Sequence, residues 1–154
     1  MSEYQYYEFL AVDSPLSKEQ MGEVRRLSTR ASITPTGFVN EYHWGNFKGK
    51  PWALMARYYD VFVYFANWGT RSLAFSLPGV EPELEEFLPY LVDDCVSLDE
   101  ERGERPVLWL QSRKEVEGWP DPSELMGSVA SLRDAIFSGD RRLLYLGLAQ
   151  CGRR

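Results

Sequence analysis

The chain has 154 residues, a net charge of −6, 44% hydrophobic and 26% charged residues. These values fit one globular domain over 1–154 and exclude disorder along the whole length. No apolar run reaches the roughly 18–20 residues that cross a bilayer, and no basic stretch followed by an apolar one marks an export signal, so a cytoplasmic protein is expected.

Residues 4–12 are aromatic and β-branched, which predicts a strand. Tyr4, Tyr6, Leu10 and Val12 share one face, and Tyr7, Phe9 and Ala11 the other. Both faces are largely apolar, so this strand is expected in the middle of a sheet. Glu8 interrupts the first face and needs a partner if buried. Ser17 with Gln20 three residues on predicts a capping box and a helix over about 17–29, striped by Met21, Val24 and Leu27. Residues 33–37 predict a bend and residues 38–44 a strand, followed by a Gly- and Pro-marked loop over 45–51.

Pro51 suits the first turn of a helix. Leu54, Tyr58, Phe62 and Phe65 follow at helical spacing and predict a buried helix over about 51–66. The rival reading makes 58–65 a strand, because Tyr, Val and Phe favour sheets. Residues 67–70 stop this element, with Gly69 suited to a left-handed conformation. Leu73, Phe75 and Leu77 alternate with Ser72, Ala74 and Ser76 and predict another strand.

Residues 80–104 hold ten acidic side chains and one basic, more negative charge than the whole chain carries net. This block predicts a solvated acidic surface that can attract a basic partner, and it opposes nucleic acid and anionic membranes. Stacking of single-stranded nucleic acid on aromatics is disfavoured by the same charge. A short helix is expected within 83–91 and a hairpin pairing 96–98 with 106–110. Asp121-Pro122-Ser123-Glu124 starts a helix striped by Leu125, Val129, Leu132 and Ile136, and Asp140 caps a last one. The expected fold is α+β: one small mixed or antiparallel sheet in the order β-α-β-α-β, then a hairpin, with packed helices and a C-terminal helix pair.

The blocks Tyr4-Gln5-Tyr6-Tyr7-Glu8-Phe9, residues 28–36, residues 38–45 and residues 66–70 resemble a bacterial family of hypothetical proteins. The likeness is strongest over 1–78 and returns at 143–147. It implies a bacterial, intracellular protein and members that run on past this chain's end. It implies no activity. Asn46 stands where the resemblance leads one to expect an acid.

His43, the sole histidine, could act as a general base oriented by Glu41 on the same strand face. A nucleophilic dyad of His43 with Cys95 or Cys151 would need a proximity that spacing does not give. With no export signal, both cysteines are expected reduced. No phosphate-binding glycine loop, dinucleotide fingerprint or metal-ligand spacing occurs, so neither cofactor nor metal is expected. Lys48 in the 45–50 loop could hold a phosphate. Arg25, Arg26 and Arg30 form a basic patch at a helix end, suited to capping that end or to an acidic partner.

The leading expectation is a non-enzymatic protein interaction module whose polar-aromatic surface uses Tyr42, Trp44, Lys48, Trp52, Trp68 and Arg71. Its partner is another protein, with a homo-oligomer allowed. The alternative is a small enzyme using His43 and nearby carboxylates.

Overall fold

The computed structural model describes residues 4–43, 49–76, 96–99, 106–112 and 125–138. Its centre is a seven-stranded sheet in the order β2-β3-β1-β4-β5-β7-β6, with every pairing antiparallel. The strands are β1 (Tyr4–Leu10), β2 (Ser32–Ile33), β3 (Gly37–His43), β4 (Val61–Ala66), β5 (Arg71–Ser76), β6 (Val96–Asp99) and β7 (Val107–Ser112). Helices α1 (Lys18–Arg25) and α2 (Pro51–Arg57) contribute to the core on one face, and α3 (Leu125–Phe137) to the core on the other.

This architecture corrects the expectation of a small sheet among packed helices. The molecule is β-rich, with one large antiparallel sheet and short helices. The largest single error is the helix over 51–66: α2 ends at Arg57, and Val61–Ala66 is a strand. A strand buried on both faces is apolar at every position, so an i, i+4 pattern is contained in it by default. Val61-Phe62-Val63-Tyr64-Phe65 is β-branched or aromatic throughout, which favours the pleat. Asp60 fixes the switch from helix to strand. Its backbone N–H donates to the Leu10 carbonyl, and its Oδ2 accepts from the Val12 and Asp13 amides at 2.6 and 2.9 Å. The predicted helix within 83–91, the helix start at 121–124, the last helix from Asp140, Cys95 and Cys151 all lie outside the described residues.

Other local expectations match. β1 lies between β3 and β4, with Tyr7 and Phe9 on the α1/α2 face. The α1 capping box is formed: Ser17 Oγ accepts from the Gln20 amide and Gln20 Oε1 from the Ser17 amide. β6 pairs with β7 in antiparallel register, Val96 opposite Leu110. Gly69 adopts φ 106° in the β4–β5 turn, a region open to glycine at little cost.

The α1/α2 face is aromatic. Phe9 stacks on Phe62 with ring centroids 4.5 Å apart and meets Phe38 edge-on at 5.4 Å. Such pairs add about 0.5–1.5 kcal/mol each beyond the area they bury. The α3 face is mostly aliphatic: Val61, Val63, Leu108 and Leu110, with buried Phe75, form one core with Met126, Val129 and Ile136. A polar clasp joins α3 to the end of β1. Buried Arg133 forms a two-pronged pair with Asp13 at 3.0 and 2.8 Å, donates to the Ser76 carbonyl at 3.2 Å, and lies 3.7 Å from buried Asp60. Among the described residues, no helix is long and apolar enough to cross a membrane.

Candidate functional site

The register of the sheet aligns side chains from four strands into one cleft. Tyr7 stands opposite Tyr64, Tyr64 opposite Ser72, and Ser72 opposite Gln111. One step along, Phe9, Phe62, Ala74, Trp109 and Ser97 form the next row. Pro51 and Trp52 at the start of α2 close one side. The result is an open cleft of about 360 Å³, lined by Tyr7, Pro51, Trp52, Phe62, Tyr64, Ser72, Ser97, Trp109 and Gln111. None of these nine side chains carries a formal charge at neutral pH.

Its walls are held by aromatic contacts and shared hydrogen bonds. Tyr7 and Tyr64 lie 4.9 Å apart by ring centroid, and both phenols donate to Gln5 Oε1, at 3.1 and 2.8 Å. Burial, then the neighbouring Tyr64 and Tyr42 phenols, push the Tyr7 hydroxyl above its ordinary range, and burial raises Tyr64. Both are therefore neutral hydrogen-bonding groups at physiological pH, with no role as phenolate nucleophiles. Trp109 meets Phe62 edge-on at 5.7 Å, and its buried indole Nε1 has no hydrogen-bond partner among the described residues. A buried donor without a partner costs roughly 1–3 kcal/mol, an expense more common at functional sites than elsewhere.

The residues singled out from sequence are divided between two faces. Tyr42 and Trp52 belong to the cleft side. Tyr42 meets Tyr7 edge-on at 5.5 Å, its hydroxyl 3.4 Å from Ser28 Oγ, and Trp52 lines the cleft with Lys50 Nζ 5.4 Å from its ring centroid. Strand alternation turns Glu41 and His43 to the opposite face, where both are exposed and the His43 ring lies 5.2 Å from Tyr4. Among the described residues, no hydrogen bond or ion pair joins His43 to a carboxylate. Arg71 also faces away from the cleft, 5.8 Å from the Phe65 ring, with Nε and Nη2 buried and lacking hydrogen bonds among the described residues. Trp68 is 47% exposed at the β4–β5 turn. Trp44 and Lys48 lie outside the described residues. Among the described residues, no group of three His, Cys, Asp or Glu side chains could hold a metal ion.

Sequence reasoning missed Tyr7, Phe62, Tyr64, Ser72, Ser97, Trp109 and Gln111 as site residues. The helical reading of 51–66 hid the signal for two of them, since only in a strand do Phe62 and Tyr64 share a face. No protein-family model matches this chain, and neither a curated protein nor a solved structure matches it.

Proposed function

We propose that the protein is a non-enzymatic interaction module of a bacterial, cytoplasmic system, and that it captures a protein partner through the aromatic cleft. The observation that carries this reading is the cleft itself: five aromatic side chains with uncharged hydroxyl and amide groups between them. Such a lining suits flat or apolar groups and offers hydrogen bonds without the cost of desolvating a charge. Trp and Tyr are the residues that most often anchor protein interfaces. The acidic block at 80–104 favours a partner with basic surface around the inserted group, by steering its approach.

The test compares partner capture by wild type, Trp52→Ala and His43→Ala, using chemical crosslinking in the native host followed by mass spectrometry. Loss of a defined crosslinked partner with Trp52→Ala, and its retention with His43→Ala, supports the module. If His43→Ala abolishes the host phenotype in a folded protein while Trp52→Ala retains both phenotype and crosslinks, the module reading fails.

A further inference from the structure

A second depression lies on the outer side of the helices, between α1 and α2. It encloses about 590 Å³. Three cationic side chains line it: Arg26 from the end of α1, Lys50 just before α2, and Arg57 from its last turn. The carboxylate on its wall, Glu23, is engaged, its Oε2 accepting a hydrogen bond from the Tyr58 hydroxyl. That bond, then burial, raises the Tyr58 pKa, so the phenol stays a neutral donor. The floor is apolar, formed by the half-buried Leu27 and Ala53.

The neighbouring arginine has a different task. Arg25 Nη1 donates to the carbonyls of Ser28, Thr29 and Ala31 at 3.4, 3.1 and 2.7 Å, which ties the turn after α1 to the helix end. Capping therefore accounts for Arg25. It does not account for Arg26 or Lys50. Arg26 has no carboxylate partner among the described residues, and neither has Lys50, whose ammonium lies over the Trp52 ring.

We propose that the groove between α1 and α2 binds an acidic peptide segment of a partner protein, with Arg26 and Lys50 engaging its carboxylates while Leu27 and Ala53 receive its apolar side chains. The apolar floor separates this occupant from a free oxyanion, which would gain nothing from it. The chain's overall charge of −6 repels acidic peptides, so binding must come from the local groove and not from the molecule's general field. Lys50 links this groove to the aromatic cleft, its ammonium lying 5.4 Å from the ring centroid of cleft-lining Trp52, whereas Arg26 lines the groove alone.

The test is fluorescence anisotropy on the full chain with a labelled peptide of glutamates interrupted by leucine at every fourth position. The same peptide with Gln for Glu, inorganic phosphate and a random single-stranded oligonucleotide serve as further probes. Arg26→Glu and Lys50→Glu should each weaken binding about tenfold, since reversal turns a close attraction into repulsion. Arg30→Glu makes the same change of net charge outside the groove and should cost less than about twofold. Thermal melts matching wild type confirm that each variant is folded. Equal losses in Arg30→Glu and Arg26→Glu, tighter binding of the oligonucleotide, equal binding of the Gln peptide, displacement by millimolar phosphate, or no binding of the Glu–Leu peptide would each overturn the proposal.

Discussion

The two faces of the sheet are built from alternate residues of the same strands, yet they differ in kind. On β4, Val61 and Val63 face α3, while Phe62 and Tyr64 face the cleft side. On β7, Leu108 and Leu110 face α3, while Trp109 and Gln111 line the cleft. The α3 side is closed by packing that is aliphatic apart from Phe75. The other side is closed by aromatics around Phe9 and left open at the cleft that Trp52 and Trp109 line. A closed aliphatic layer supplies rigidity, and an open aromatic one on the same strands inherits that rigidity. Preorganised walls lower the entropy lost when a ligand is held.

The sharpest way to break this comparison is to hollow each face in turn. Phe62→Ala should cost about 3–5 kcal/mol, because Phe62 contacts Phe9, Tyr7 and Trp109 at once. Leu108→Ala on the other face should cost roughly 2–4 kcal/mol. Denaturant titration measures both, and a Phe62→Ala loss under about 1 kcal/mol would mean that the aromatic layer is not core.

The clasp between faces comes next. Asp60→Ala removes the acceptor for two backbone amides and a carboxylate near buried Arg133. Its expected cost is about 3 kcal/mol, since removing one member of a buried charged set leaves the other uncompensated. A value near zero by thermal or chemical denaturation would show that Asp13 alone satisfies Arg133.

A smaller effect tests the openness of the cleft. Trp109→Phe loses ring area but also removes the partnerless indole N–H. The two effects oppose, so stability should change by less than about 1 kcal/mol, while partner capture weakens if that N–H serves a ligand. A destabilisation above about 2 kcal/mol would make Trp109 a packing residue only.

The smallest effect is a pH dependence on the α3 side. Burial raises the Glu8 carboxyl above its ordinary value, and the 2.5 Å bond from the Tyr6 hydroxyl opposes that rise. The folded state therefore binds this proton more tightly than the unfolded state. Stability from this group is greatest at acid pH and falls as pH rises through the raised pKa. Glu8→Gln should flatten that slope and be neutral or slightly stabilising at pH 7. An unchanged slope would assign the pH dependence to other groups.

What was legible in the sequence was local. Ser17 and Gln20 are three residues apart and close on each other without help from the rest of the chain. The two faces of β1 follow from alternation alone. β4 was legible only as the rival strand over 58–65, from its Tyr, Val and Phe content, because burial on both faces erases the alternation that marks a strand. The cleft was illegible for a different reason. Its lining comes from five strands and one helix, and no window along the chain contains it. Searching for tryptophans beside glycine turns found Trp52, which lines the cleft, and Trp68, which the fold leaves exposed at a hairpin. Trp109 sits within a strand and carries no such mark. The basic patch was visible as three arginines, but only the fold assigns Arg25 to a helix end and Arg26 to a groove.

The position of β1 bears on how the chain is made. Of the seven described strands, β1 leaves the ribosome first, and it is flanked on both sides by strands that emerge later, β3 and then β4. At about 5–20 residues per second, the fifty or so residues between Leu10 and Val61 take roughly 3–10 seconds to synthesise. Throughout that interval Tyr6, Tyr7 and Phe9 lack the β4 side of their burial. Until β4 emerges these side chains are available to chaperones, and codon changes that slow translation before Val61 should lengthen that interval.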